Sequence, residues 1–165
     1  MIRVCGNVDV EVICTIINDS ALAYRGVIPP DRWHEPYMPL GELKSEIEAG
    51  VEFLGYQDDT GLVGVMGTQP IKDVMLIRHA YVRTARRREG IGSALLTACL
   101  DRSEAPVLIG TWTAATWAID FYRKHGFSVI DGEKKNRMLE IYWSIPERQI
   151  ETSVIMADQR WQKRT

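Results

Sequence analysis

The residues best suited to a chemical task lie in one segment, Arg83 to Ser93, which joins an apolar strand pattern to a helix pattern. The first N–H groups of a helix have no intrahelical partner, and the helix dipole places partial positive charge at that end. Gly90 and Gly92 carry no Cβ, so an anion can approach the main chain closely. Further donors are supplied by Ser93, Arg86, Arg87 and Arg88. The segment predicts a pyrophosphate site; the alternative is a tight turn with solvated arginines.

Two strands and a helix must position this loop. Residues 75–82 and 107–112 are apolar and β-favouring, and residues 90–102 repeat apolar side chains at helical spacing. This order predicts a βαβ unit with parallel strands. Asp9 and Thr113 are expected to cap two further helices, and Gly126 to adopt a left-handed conformation. The remaining patterns predict helices over 9–24, 42–49 and 113–124. They also predict strands over 51–57 and 62–69, joined by a turn over 58–61. Further strands are predicted over 1–5, 138–143 and 151–156, and residues 144–150 link the last two.

The loop differs from the commoner phosphate-binding sequences. A dinucleotide fingerprint needs a third glycine where this chain has Leu95, and the Gly-Lys-Ser/Thr of a Walker loop is absent. The pattern Arg87-x-x-Gly90-x-Gly92 resembles instead the acyl-CoA pyrophosphate loop of the GNAT superfamily of N-acetyltransferases. A second segment, AIDFYRKHGF over residues 118–127, is similar to a later helix of that family, which ends in a Phe-Tyr pair followed by a Gly-Phe turn.

This resemblance covers nearly the whole chain and implies a single-domain α/β fold. The expected sheet is central, mixed and largely antiparallel, with one parallel βαβ unit and about four flanking helices. Residues 1–157 are expected to form the acetyltransferase domain and residues 158–165 a polar C-terminal tail. The resemblance also implies acetyl-CoA as the acyl donor. The positions it assigns to the donor are Ala80, Tyr81, Val82, Arg87, Arg88, Glu89, Gly90, Ile91, Gly92 and Ser93, most of them through main-chain groups.

Tyr122 is the expected general acid, because the resemblance places the tyrosine of the Phe-Tyr pair near the cofactor sulfur. A phenol with a pKa of about 10 is protonated at neutral pH and can donate to a departing thiolate. The alternative is a packing role beside Phe121.

The chain departs from the family at Ala115, where an asparagine often contacts the pantetheine arm. Trp112, Thr113 and Thr116 are the residues that could replace this contact. The general base stays open, since a histidine on an apolar strand is more often a core residue and one at a helix end a cap. The candidates are His34, Glu35, Asp73, His79 and His125.

The acceptor is expected to be a primary amine of a small molecule or a peptide. The prolines of segment 25–40 exclude a regular helix or a central strand, and the segment carries large aromatic side chains. The aromatics and the carboxylate that could hold an organic cation are Trp33, His34, Glu35 and Tyr37. The alternative is a hydrophobic lid over the first helices.

Composition narrows the remaining function classes. A net charge of −2, with the basic cluster confined to one loop, argues against a nucleic-acid-binding protein. The sequence has no run of 18 apolar residues and no leader-like N-terminus. These two observations predict a cytoplasmic protein without a membrane partner. Three cysteines without CxxC spacing argue against disulfides and against a metal site. Exposed C-terminal strands could pair in a homodimer.

Two functional hypotheses remain, an acetyl-CoA-dependent N-acetyltransferase and a catalytically silent acyl-CoA-binding module. The second is favoured by Ala115 and by the lack of an obvious base.

Overall fold

The computed structural model describes residues 1–143 and 151–164, which hold seven strands and six α-helices. The strands are β1 Ile2–Val4, β2 Glu52–Asp58, β3 Gly61–Ile71, β4 Val74–Val82, β5 Val107–Trp112, β6 Ser128–Ile130 and β7 Ser153–Ala157. The helices are α1 Val10–Ala21, α2 Leu40–Glu48, α3 Ile91–Asp101, α4 Thr116–Lys124, α5 Gly132–Met138 and α6 Gln159–Gln162.

The strands belong to one mixed sheet in the order β1-β2-β3-β4-β5-β7-β6, which contains one parallel pair. This confirms the predicted α/β class and mixed sheet. Six helices are present in the described residues rather than about four, because α5 and the one-turn α6 occupy sequence that was not expected to be helical. None of the described helices has the length and apolar character needed to span a bilayer.

The chain packs as two compact units. The first comprises Met1–Gln69 and Ile77–Glu104, and the second comprises Pro70–Leu76 and Ala105–Thr165. Strand β4 therefore contributes its first residues to the second unit and the rest to the first.

In the first unit, β1, β2 and β3 pair antiparallel, and the expected hairpin turn joins β2 to β3. Asp58 stabilises that turn because its carboxylate accepts hydrogen bonds from the N–H and hydroxyl of Thr60, at 2.8 and 2.6 Å. The apolar faces of α1 and α2 and the inward residues of β2 and β3 form its core. The fully buried members include Ile13, Ile16, Ile17, Leu43, Phe53 and Val65.

Helix α1 begins one residue after Asp9, and the side chain of Asp9 makes no cap to the helix. Its carboxylate instead accepts hydrogen bonds from both terminal guanidinium nitrogens of Arg3, at 2.9 and 2.8 Å, and from the N–H of Gly6, at 2.8 Å. The predicted capping role of Asp9 is therefore wrong: the stronger charged partner on β1 holds the carboxylate.

The Arg3–Asp9 pair predicts an acid-sensitive contribution to stability. The hydrogen bonds from Arg3 lower the pKa of Asp9 to about 2 and outweigh its burial. A lowered folded-state pKa stabilises the fold above the unfolded-state pKa, and this stability is lost as pH falls through the folded value. We expect Asp9→Asn to lower the free energy of unfolding at neutral pH by about 1–2 kcal/mol, since water reaches part of the Arg3 side chain. The difference from the wild type should disappear between about pH 4 and pH 2.

Urea titrations at several pH values measure this difference, with Asp59→Asn as the control because Asp59 lies in the exposed hairpin turn. A difference that stays constant down to pH 2 would contradict the role assigned to Asp9.

In the second unit, β7 pairs antiparallel with both β5 and β6. Buried residues from these strands, from the start of β4 and from the end of α5 form its core, namely Val74, Leu76, Leu108, Met138, Leu139, Ile155 and Ala157. Trp161 of the expected C-terminal tail packs against this core. Asp158 is buried and accepts a hydrogen bond from the N–H of Val107 at 3.2 Å.

Two local predictions in the second unit are wrong. Residues 138–143 form the end of α5 and a π-helical turn over Leu139–Trp143 rather than a strand, because a helix places Met138 and Leu139 together in the core. Helix α4 begins at Thr116 after Ala115, and the N–H of Thr113 bonds to the carbonyl of Thr152 instead. Gly126 adopts the expected left-handed conformation, with φ of +87°. The linker predicted over 144–150 lies outside the described residues.

Candidate active site

The glycine-bearing loop of the first unit is fixed where it leaves β4. At the end of β4, Arg83 donates its N–H to the carbonyl of Val63 and its Nε to that of Leu62, at 2.9 and 3.0 Å. One residue later, the N–H of Thr84 donates to Oδ2 of Asp19 in α1, at 2.7 Å. These bonds join the loop to β3 and to the end of α1.

The N-terminus of α3 is open to a ligand. Its N-cap residue, Gly90, has φ of +79° and supplies no side chain to the first-turn N–H groups. A Cβ built on Gly90 would have no heavy atom within 4 Å. The first intrahelical backbone bond of α3 is donated by Ala94 to the carbonyl of Gly90, at 3.0 Å. An anion can therefore approach the positive end of this helix dipole through open space.

Close packing places α3 against the sheet of the first unit. A Cβ on Gly64 of β3 would lie 2.8 Å from Cγ2 of Ile91 and 3.2 Å from Cδ1 of Leu95. Ile91 and Leu95 are both buried, at the start of α3 and one turn later. The absence of a side chain at Gly64 thus sets how near the helix N-terminus lies to β3.

The loop arginines do not all carry free positive charge, which corrects the expectation for Arg86. Its guanidinium forms ion pairs with Asp58 of the hairpin and with Glu89, the latter at 2.8 Å. Arg87 donates Nη2 to the carbonyl of Ser20 at 3.2 Å. Arg88 is exposed, with φ of +64°. The hydrogen bonds from Thr60 and then the one from Arg86 hold the pKa of Asp58 far below its usual range. Arg86 therefore stabilises the loop, and the carboxylates of Asp58 and Glu89 largely neutralise its charge.

The proline-rich segment of the first unit makes aromatic contacts. The ring of Tyr37 lies 5.8 Å from that of Trp33 and 6.3 Å from that of His34, both stacked, and 5.7 Å from that of Tyr24. Nδ1 of His34 contacts the carbonyl oxygen of Pro36 at 2.8 Å. Glu35 forms an exposed ion pair with Arg25 at 3.5 Å. The expected acceptor residues are thus assembled around Tyr37, with the carboxylate already paired.

Tyr24, Tyr37 and Tyr81 form a second aromatic group, which shares Tyr24 and Tyr37 with the first. The rings of Tyr24 and Tyr81 are 6.3 Å apart, edge to face. Burial raises the pKa of Tyr81 well above its ordinary value, and hydrogen bonds with the other two phenols add to this. Burial likewise raises the pKa of Tyr24 to about 12. Tyr24 and Tyr81 are therefore neutral hydrogen-bonding groups at physiological pH.

A charged cluster lies where β4 departs from regular geometry. His79 has φ of +57° within the strand. Its Nε2 lies 2.5 Å from Oε2 of Glu46 in α2, and Nη2 of Arg78 lies 3.0 Å from Oε1 of the same carboxylate. Arg78 also donates Nη1 to Oε1 of Gln69 at 3.0 Å. Glu46, Arg78 and Gln69 were not singled out from the sequence, because no local pattern signals a pairing between residues 33 positions apart.

Tyr122 lies in α4 of the second unit and is 4% exposed. Its ring contacts those of Phe121 and Phe127 edge to face, with centroids 5.0 and 5.6 Å away. Ala115, immediately before α4, is fully buried. This packing is compatible with either hypothesis for Tyr122, since a buried ring can still present its hydroxyl.

The other candidate bases and nucleophiles have structural partners. Asp73 accepts hydrogen bonds from the hydroxyl of Tyr142 and Nη2 of Arg164, at 2.9 and 2.8 Å. His125 packs on the ring of Phe121, at 4.8 Å. The three cysteines are unbridged, and burial raises the pKa of each thiol, that of Cys99 to about 12. In residues 1–143 and 151–164, no three His, Cys, Asp or Glu side chains gather as a metal site.

Comparisons with known proteins agree with this arrangement. Residues 49–129 match the family model described as an acetyltransferase (GNAT) domain, a span that includes β4, the glycine-bearing loop, α3 and α4. No curated protein sequence gives a significant match.

Solved acetyltransferase structures share the fold. The chain is similar to PaiA N-acetyltransferase from Thermoplasma acidophilum in complex with coenzyme A, with a TM-score of 0.71, 19% identity and coverage of 96% of this chain and 97% of that one. It is also similar to a ribosomal-protein-alanine N-acetyltransferase from Brucella melitensis, with a TM-score of 0.66, 20% identity and coverage of 96% and 98%. The family model identifies residues 49–129 as an acetyltransferase domain of the GNAT superfamily, and the solved structures show that the chain has the same fold as these acetyltransferases.

Proposed function

We propose that this protein is an N-acetyltransferase that transfers the acetyl group of acetyl-CoA to a primary amine of a small molecule or peptide by direct attack. The observation that carries the proposal is the uncapped N-terminus of α3 behind a loop fixed to β3 and α1. Such an end can hold a pyrophosphate through main-chain N–H groups. Gly90, Ile91, Gly92 and Ser93 supply those groups, with Arg87, Arg88 and Glu89 preceding them.

The acyl end of the donor is assigned to β4. In this proposal the main-chain groups of Ala80, Tyr81 and Val82 bind the thioester carbonyl and the pantetheine arm, directly after the positive φ of His79. Main-chain donors that are already oriented stabilise the oxyanion without reorganisation. Tyr122 then protonates the departing thiolate. Trp33, His34 and Tyr37 contribute to binding of the acceptor amine, whereas Glu35 does so only if it leaves Arg25.

The rival hypothesis is an acyl-CoA-binding module without transferase activity, which the buried alanine at position 115 still favours. Isothermal titration with acetyl-CoA, with CoA and a dinucleotide as comparisons, followed by release of free thiol with a panel of amines, separates the two. The proposal expects selective micromolar binding of acetyl-CoA and thiol release with one class of amine. Binding without thiol release for any amine would support the silent module, and no binding would reject both hypotheses.

A further inference from the structure

The irregular backbone of β4 at His79 brings two consecutive side chains to one carboxylate. In a regular strand, Arg78 and His79 would point to opposite faces of the sheet. The positive φ of His79 instead allows both to contact Glu46, at 3.0 and 2.5 Å. A non-glycine residue held in this region is costly and persists only when its surroundings fix it, and such residues concentrate at functional sites.

The protonation of this pair follows from its surroundings. Burial opposes ionisation of Glu46, but the hydrogen bond and the charge interaction with His79, and then the charge of Arg78, lower its pKa overall, so the carboxylate is ionised. An ionised carboxylate only accepts hydrogen bonds, which places a proton on Nε2 of His79. In the neutral form of the imidazole, Nδ1 then carries the lone pair, and Nδ1 makes no hydrogen bond with any residue in the described part of the chain. This is the arrangement in which a carboxylate orients a neutral imidazole to accept a proton.

The groups around His79 are few. Glu46 faces it from α2, and Arg78 and Tyr81 are its neighbours on β4. Phe53 of β2 stacks on the imidazole, with ring centres 6.1 Å apart, and brings no charge. Tyr81 is neutral because burial keeps its pKa high. The imidazole, with its side chain 14% exposed, is therefore the group of this cluster whose free nitrogen can accept a proton from a ligand.

We infer that His79, oriented by Glu46, is the general base that removes the proton from the acceptor nitrogen, an inference that rests on the proposed acetyl transfer. His79 directly precedes Ala80, at which the proposed thioester contacts begin, so the base and the proposed acyl site are neighbours along β4. Glu46 is a positioning residue that fixes the tautomer and the ring orientation.

In the proposed acetyl transfer, the lone pair of the neutral amine forms the C–N bond to the thioester carbon, which leaves the nitrogen positively charged. The excess proton on that nitrogen passes to Nδ1 of His79, the C–S bond breaks, and the sulfur takes the proton assigned to Tyr122. His79 then loses its proton to solvent and Tyr122 regains one, so no co-reactant is required.

The test is the pH dependence of kcat at saturating acetyl-CoA, with the amine that gives thiol release with the wild-type protein. The pH profile of the wild type should have an acidic limb, that is, a fall of kcat with decreasing pH in the range in which imidazoles titrate. His79→Gln and His79→Asn should lower kcat at pH 7 by roughly tenfold or more and abolish that limb, while the Kd for acetyl-CoA stays unchanged. Asparagine is included because it tolerates a positive φ better than glutamine.

Glu46→Gln tests the positioning role without changing His79. It should lower kcat by less than the His79 variants do and move the acidic limb to lower pH, because the imidazolium loses the carboxylate that stabilises it. Glu48→Gln, on an exposed residue of the same helix, is the matched control and should keep the wild-type profile.

The inference is overturned if folded His79 variants keep the acidic limb, or if their activity falls by the same factor at every pH, as loss of a purely structural contact would produce. Should both His79 variants fail to fold, an unshifted limb in Glu46→Gln overturns it. Failure of the proposed function looks different: the wild type itself then releases no thiol with any amine, and this outcome rejects the inference as well.

Discussion

Tyr122→Phe is expected to lower kcat for acetyl transfer by about 100-fold or more while leaving the Kd for acetyl-CoA within about twofold of the wild-type value. The substitution removes one hydroxyl and keeps the ring that packs between Phe121 and Phe127. A thiolate that leaves without a proton donor is a poorer leaving group, so the loss falls on the chemical step. The measurement combines thiol-release kinetics at saturating substrates with isothermal titration of acetyl-CoA.

A matched control separates this effect from a general cost of losing a tyrosine hydroxyl. Tyr56→Phe makes the same change on β2, away from the aromatic contacts of Tyr24, Tyr37 and Tyr81, and should leave kcat unchanged. A kcat for Tyr122→Phe close to that of the wild type would assign Tyr122 to packing alone. A large loss of acetyl-CoA affinity would instead show that the phenol acts in binding.

The parts of the fold that could be predicted are those whose signals are continuous in sequence. Strand β5 was predicted over 107–112 and α3 over 90–102, and the structure agrees to within one residue at each end of both elements. The apolar side chains at helical spacing in α3 are buried on one side, and β5 begins with three consecutive buried apolar residues. The glycine pattern at the start of α3 gave a further local signal, because a turn with positive φ requires it.

The errors occur where distant contacts override a local preference. Residues 138–143 are apolar and β-favouring, yet the core of the second unit is filled by Met138 and Leu139 from a helical turn. Asp9 has the right type and place for a helix cap, but Arg3 binds it more strongly. Each competing partner comes from another element, so the sequence near the error carries no sign of it.

The cluster of Glu46, Arg78 and His79 could not be predicted, because it too depends on contacts between distant elements. Glu46 was predicted only as part of a short amphipathic helix, and His79 only as one of five candidate bases. Their pairing depends on where α2 packs and on a positive φ at a histidine, which no residue-type rule selects. By contrast, main-chain binding at α3 depends on glycine, and glycine is visible in the sequence.

Gly90→Asp is expected to weaken acetyl-CoA binding by about 100-fold relative to Gly90→Asn. Both side chains fit the open space at Gly90, and both tolerate its φ of +79° better than other residues do. They differ in one negative charge, which would face the pyrophosphate at the N-terminus of α3. Two unit charges about 5 Å apart repel by about 3 kcal/mol at the effective dielectric constant near a protein surface, which corresponds to this factor.

Stability should move in the opposite direction, which makes the result specific to binding. A carboxylate beside a helix N-terminus interacts favourably with the dipole, so Gly90→Asp should melt at a temperature no lower than that of Gly90→Asn. Titration of acetyl-CoA into both variants at low salt and then at high salt completes the experiment, since screening should narrow the gap between them. Equal affinities at low salt would mean that the pyrophosphate does not bind at α3, and the proposed donor site would have to be abandoned.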